Sequence, residues 1–228
     1  MLLYYITDRS AFSGTEEERR AALLRRIGQA ARSSVDYIQL REKDLSSRQL
    51  ERLAHEAVRA VRENSAQTRL LINSRADIAL ACGADGVHLP AEELSASEVR
   101  TMWMKCSGRE PLIGVSAHSP AEVRSAESHG ANFAVLAPIF EKVQTQAKGI
   151  GLDVLRDACA LLGAPRDVEA PYSGRFAVLA LGGVNLENAR SCLQAGAAGV
   201  AGIRLFQTGD ILKTVQWLRS TAPFTEQE

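Results

Sequence analysis

In the stretch "QLREKD" a carboxamide and two cations alternate: Gln39, Arg41 and Lys43. Residues i, i+2 and i+4 of an extended strand share one face, so these three side chains would point the same way. Two cations near a buried strand need an anion to pair with, and phosphate oxygens would serve. The plain alternative is an exposed charge cluster at a strand end. Other polar groups stand in comparable places. Asn73 and Ser74 close the apolar run in "LLINSR", Ser116 and His118 lie two apart in "IGVSAHS", and Glu92 and Glu93 follow "GVHL". Gly182 and Gly183 in "LALGGV" would let bare backbone amides approach an anion, and Gly202 and Arg204 lie close by in "GVAGIRLF". The set suggests two anion sites, one cationic and one built mainly from amides, with polar donors and a histidine between them. Such a layout suits an enzyme that handles two phosphorylated pieces, or one piece with an adjacent reacting centre.

The elements that must position these groups are nearly continuous apolar runs, as expected of parallel strands buried on both faces. They predict strands at residues 2–7, 37–41, 70–73, 86–89, 112–116, 133–139, 177–181 and 200–205. Amphipathic patterns between them predict helices at 16–31, 47–62, 75–82, 95–105, 120–129, 151–162, 186–194 and 209–220. This alternation predicts a (β/α)₈ TIM barrel formed as a single domain over residues 1–228. An open doubly wound sheet is the alternative, but no G-x-G-x-x-G follows the first strand. A weak repeat, "CGADGVHL", "HGANFAVL" and "AGAAGVAG", puts Gly-Ala after a helix and before a strand, where glycine can end the helix in the left-handed conformation.

Barrel enzymes build their sites at the carboxyl ends of the strands, often with a phosphate held by the loops after strands 7 and 8. The polar groups named above all fall at such ends, and Thr7-Asp8-Arg9 would end the first strand. On this reading the polar loop at 141–150 is a candidate lid, and the Pro/Gly-rich segment at 163–175 is a surface loop at the other end. His118, at a strand tip with a serine on its face, is read as functional. His55, His88 and His129 are read as structural.

Of the 228 residues, 46% are hydrophobic and 24% charged, and Lys+Arg and Asp+Glu both total 27. A balanced chain has no general field for nucleic acid or an acidic membrane. Its apolar runs fall far short of the ~18 residues of a membrane span, and "MLLYYITDRS" does not read as a signal peptide. Cys82, Cys106, Cys159 and Cys192 lack metal-binding spacing and read as buried or half-buried free thiols of a cytoplasmic protein.

The motifs "YYITDR", "YIQLREKDL", "LLINSRADIALACGADGVHLP", "IGVSAHS", "APIF", "LALGGV" and "AGAAGVAGIRLF" occur in this order along nearly the whole chain. In them the chain resembles the thiamin phosphate synthase/TenI family, whose fold is a (β/α)₈ barrel. For a synthase the resemblance implies a pyrimidine pyrophosphate that loses pyrophosphate to give a stabilised carbocation-like species. The nitrogen of a thiazole phosphate then attacks it. Gln39, Arg41, Lys43 and Asn73 would hold the pyrimidine and its pyrophosphate, with Mg²⁺ neutralising the leaving group. Ser116 would lie near the pyrimidine, and the loops bearing Gly182, Gly183, Gly202 and Arg204 would cradle the thiazole phosphate. TenI-type members instead tautomerise a thiazole carboxylate phosphate, using a histidine at the position of His118 for proton transfer.

Several positions depart from the synthase pattern. Asn73-Ser74 stands where synthases usually have Asn-Asp, the Asp being a Mg²⁺ ligand. The second metal ligand falls on Glu93. The threonines usual in the loop after strand 6 are replaced by Thr145 and Lys148 as candidates, and Arg204 occupies a position commonly held by serine. The residues therefore support a synthase with an altered Mg²⁺ site, with a tautomerase or a non-catalytic phosphate-binding barrel as alternatives. The expected partners are phosphorylated small molecules rather than nucleic acid or membrane, and self-association into a homo-oligomer is compatible with them.

Overall fold

The computed structural model describes residues 1–91, 95–141, 148–162 and 176–221. Eight parallel strands close a barrel in sequence order: β1 (Leu2–Ile6), β2 (Tyr37–Leu40), β3 (Arg69–Asn73), β4 (Gly86–Leu89), β5 (Leu112–Ala117), β6 (Phe133–Leu136), β7 (Ala177–Ala180) and β8 (Gly199–Gly202). Helices α1 (Glu16–Arg32), α2 (Ser47–Arg62), α3 (Ala76–Cys82), α4 (Ala96–Ser107), α5 (Pro120–Ser128), α6 (Gly151–Ala160), α7 (Ala189–Gln194), α8 (Arg204–Gln207) and α9 (Ile211–Thr221) lie between and after the strands. The fold is the predicted TIM barrel, and the open sheet is excluded because β1 pairs with both β2 and β8.

Alternate strand residues serve two cores. Tyr4, Ile6, Leu71, Leu112, Phe133, Val135, Leu179 and Ala201 fill the barrel interior. The residues between them, such as Leu3, Ile38, Ile72, Val87, Ile113 and Val178, pack outward under the helices. Most strand residues on both faces are therefore apolar, which explains the nearly unbroken runs. Each fully buried large side chain contributes roughly 1.5–3 kcal/mol relative to exposure.

Local signals set the helix ends. Thr15 with Glu18, Ser46 with Gln49 and Ser95 with Glu98 form capping boxes at α1, α2 and α4, each satisfying orphan amides of the first turn. In the Gly-Ala repeat, Gly83, Gly130 and Gly196 have φ of 70°, 84° and 98°. The following alanines donate back to Ala79, Ala126 and Cys192, so the repeat marks equivalent helix-to-strand turns.

Five predicted strands run past their observed ends, β1 and β7 by a single residue. β2 ends at Leu40, so Arg41 lies just beyond the sheet. β6 ends at Leu136 rather than 139, because Pro138 has no amide hydrogen for the ladder. β8 ends at Gly202, and Arg204 opens the short helix α8 instead of extending the strand. Cys82 and Cys192 are buried and Cys159 half-buried as expected, whereas Cys106 is exposed on α4. No helix among the described residues is long and apolar enough to cross a membrane. Glu92, Glu93, Thr145, most of the loop at 141–150 and the segment 163–175 fall outside the described residues.

Candidate functional site

The tip of β1 fastens the segment that carries Arg41 and Lys43. Thr7 Oγ1 accepts from the Arg41 amide at 3.0 Å and donates to Glu42 Oε1 at 2.6 Å. The Arg9 amide donates to both oxygens of Glu42, and its guanidinium reaches Glu42 at 3.2 Å, both oxygens of Asp44 at 2.7 Å and Glu16 at 2.6 Å. Burial raises the Glu42 carboxyl above its ordinary range even with these donors, whereas the Arg9 guanidinium holds exposed Asp44 below its own. The alternating order Arg41-Glu42-Lys43 thus separates into one buried anchor and two cations. Arg41 is half-buried and Lys43 is exposed.

Below Arg41, polar groups cross the barrel interior in a line. Gln39 Nε2 donates to Tyr4 Oη at 2.8 Å, Tyr4 Oη lies 3.1 Å from His88 Nδ1, and His88 Nε2 lies 3.0 Å from Ser116 Oγ. Burial, reinforced by the Arg41 charge, pushes the His88 pKa down to about 3, so this ring is neutral. Burial also raises the Tyr4 pKa. Room for the line comes from Gly114: a Cβ there would stand 2.3 Å from the Phe133 ring and 2.8 Å from His88 Nδ1. From the sequence His88 is read as structural and Tyr4 is not singled out, whereas the structure puts both in this line. Their signal was the alternation itself, since outward Val87 and Leu89 leave His88 inward and opposite Asn73.

At the tip of β3, Ser74 has φ 61°, in the left-handed region that few side chains adopt. Its amide donates to the His88 carbonyl at 2.8 Å, and Asn73 Nδ2 donates to its Oγ at 3.1 Å. Arg75 turns away from the mouth to Ser47 and Asp77. Magnesium sites rest on carboxylates and phosphate oxygens. Here a neutral hydroxyl already accepts the neighbouring amide, and no cluster of three His, Cys, Asp or Glu is found among the described residues. The described residues therefore do not fit a protein-built Mg²⁺ site, and Glu93 lies outside them.

On the opposite side of the mouth, Gly182 (φ 93°) and Gly183 (φ 67°) press against the segment after β6. A Cβ at Gly182 would stand 2.7 Å from Pro138, and one at Gly183 2.7 Å from Phe140. Only glycine meets both demands. The carbonyls of this pair accept from Phe140 and Asn188, while the amides of Gly182 and Gly183 donate to no described residue. Gly202 is buried, and the exposed Arg204 side chain makes no hydrogen bond to a described residue. Lys148 is exposed.

His118 does not join Ser116. It is exposed, its amide donates to Glu122 at 2.9 Å, and its Nδ1 lies 2.9 Å from the Ala137 carbonyl oxygen. Since a carbonyl only accepts, Nδ1 carries the hydrogen of this bond, and Nε2 makes no hydrogen bond to a described residue.

Comparisons with known proteins fit these features. A thiamine monophosphate synthase family profile matches residues 3–206. A putative thiamine-phosphate synthase 2 of Aquifex aeolicus is 38% identical over 205 residues, covering 90% of this chain and 96% of that protein. A putative thiamine-phosphate synthase of Geobacter sulfurreducens is 39% identical over 201 residues, covering 87% and 83%. Among solved structures, a thiamine phosphate pyrophosphorylase from Pyrococcus furiosus is 28% identical with a TM-score of 0.72, covering 96% of this chain and 94% of its own. With its matched residues running from β1 into α8, the chain belongs to the thiamine monophosphate synthase family.

Proposed function

We propose that this chain joins a pyrimidine pyrophosphate to a thiazole phosphate, giving thiamin phosphate and pyrophosphate. The carbon–oxygen bond to pyrophosphate breaks with its electron pair leaving on oxygen, and the thiazole nitrogen supplies the pair for the new carbon–nitrogen bond. Arg41 and Lys43 meet the charge that grows on the leaving group, where fixed cations lower the barrier most. Gln39, Asn73 and Ser116 orient the pyrimidine. The amides of Gly182 and Gly183, with Gly202 and Arg204, take the thiazole phosphate, and Lys148 adds charge between the two. In this reading Mg²⁺ would supply charge neutralisation of the leaving pyrophosphate, Glu93 is the chain's candidate carboxylate for it, and the reaction is cytoplasmic. The observation that supports the reading most is the Arg9–Glu42 anchor, which fixes two cations that pair with no described residue at the same barrel end as the Gly182 and Gly183 amides, which donate to no described residue. Purified protein given both substrates with Mg²⁺ should form thiamin phosphate. No product at micromolar enzyme overturns the reading.

One observation favours a second reading, a TenI-type tautomerase. His118 gives its Nδ1 hydrogen to Ala137 and so turns Nε2 to a ligand for proton transfer. That activity would be metal-independent and lost in His118→Asn.

A further inference from the structure

We propose that Gln39, Tyr4, His88 and Ser116 form a one-way hydrogen-bond relay that presents the Ser116 hydroxyl to the substrate as a donor, with Tyr4 and His88 as positioning residues. Ser116 then recognises an acceptor atom, such as a ring nitrogen of a pyrimidine. The identity of that substrate rests on the function proposed above, whereas the relay does not.

The direction follows from what each atom is able to do. A carboxamide nitrogen only donates, so Gln39 Nε2 gives its hydrogen to Tyr4 Oη. The phenol keeps its own hydrogen for the next acceptor, His88 Nδ1. An imidazole that accepts at Nδ1 carries its hydrogen on Nε2, which donates to Ser116 Oγ. Ser116 is thereby supplied with a donor and makes no other hydrogen bond to a described residue. Its hydrogen is left for a ligand at the mouth.

The surroundings of His88 hold it neutral. Tyr4 packs against it from β1, and Gln39 and Arg41 stand on and just beyond β2. Asn73 lies opposite in register on β3, Gly114 and Ser116 on β5, and Phe133 on β6. The charged group facing it is the Arg41 cation, which opposes an imidazolium. Hydrogen bonds aligned in this way in a low-dielectric interior polarise one another.

The relay makes a statement about tautomers that imidazole nitrogen NMR of the ligand-free, full-length protein reads directly. His55, His118 and His129 are exposed, so substituting each with Gln assigns the His88 signals by elimination. The expected result at neutral pH is His88 as the neutral Nε2–H tautomer, opposite to the Nδ1–H tautomer of His118. An Nδ1–H tautomer or an imidazolium at His88 overturns the relay. Tyr4→Phe keeps the ring but removes the donor to Nδ1, so the His88 Nδ1 signal should shift toward that of an unbonded acceptor; an unchanged Nδ1 signal also overturns it. In the active enzyme, Tyr4→Phe and Ser116→Ala should each slow turnover, and the double variant should be no slower than Ser116→Ala. Losses that multiply contradict the relay. If no thiamin phosphate forms at all, the function falls while the tautomers still decide the relay.

Discussion

The guanidinium of Arg9 and the carboxylate of Glu42 form an ion pair at 3.2 Å, with side chains only 7% and 2% exposed. It joins the tips of β1 and β2, and Arg41 and Lys43, on either side of Glu42, form no ion pair with a described residue. Removing one partner of a buried pair typically costs about 3–5 kcal/mol. Glu42→Ala should therefore lower the unfolding free energy in urea by about that amount. It should also raise KM for the pyrophosphorylated substrate more than it lowers kcat, because the cations lose their fixed position.

His88 gives the fold a pH dependence of definite sign. Its folded pKa of about 3 lies below the ~6.5 of an unfolded histidine, so the unfolded chain takes up the proton first. Its contribution is full above about pH 6.5 and is lost as pH falls toward 3, at up to roughly 1.4 kcal/mol per pH unit. Urea titrations at pH 7 and pH 5 should show this loss in the native chain and a much smaller one in His88→Asn. Equal losses in both would remove His88 as the source.

Gly114 is the space that the interior line of polar groups needs. Gly114→Ala would put a methyl 2.3 Å from Phe133 Cζ and 2.8 Å from His88 Nδ1. Overpacking of this kind costs about 1–3 kcal/mol. Adding Phe133→Leu should recover part of that loss, and urea midpoints of the single and double variants measure it.

Ser74→Asp should restore a carboxylate where this chain has a hydroxyl. Asp tolerates the left-handed backbone found there, so Tm should hardly change. If residue 74 faces the metal-bearing substrate, the Mg²⁺ concentration for half-maximal activity should fall by roughly an order of magnitude, because an added carboxylate strengthens binding of a hard cation. An unchanged Mg²⁺ dependence would show that residue 74 does not face the metal-bearing substrate.

The barrel was legible because its strands bury both faces and its helices begin at Ser, Thr and Pro caps, all local signals. Strand ends were less so. Pro138 and the turn at Ile203 cut strands that the apolar pattern alone would extend. The sequence placed Gln39, Arg41, Asn73 and Ser116 near one mouth, since strand parity and order suffice for that. The partners that orient them were not legible. Arg9 meets Glu42 from 33 residues away, and Tyr4 meets His88 from 84. His88 looked like one more core position because a strand that is apolar on its outer face hides a polar inner one. The left-handed turn at Ser74 carries no glycine to announce it.

The most direct measurement follows both candidate reactions side by side with purified protein, with and without Mg²⁺. The account predicts thiamin phosphate and pyrophosphate in equal amounts from the two substrates, dependent on Mg²⁺, and strongly reduced in Arg41→Ala. Thiazole tautomerisation that proceeds in EDTA, with no thiamin phosphate formed, would contradict it.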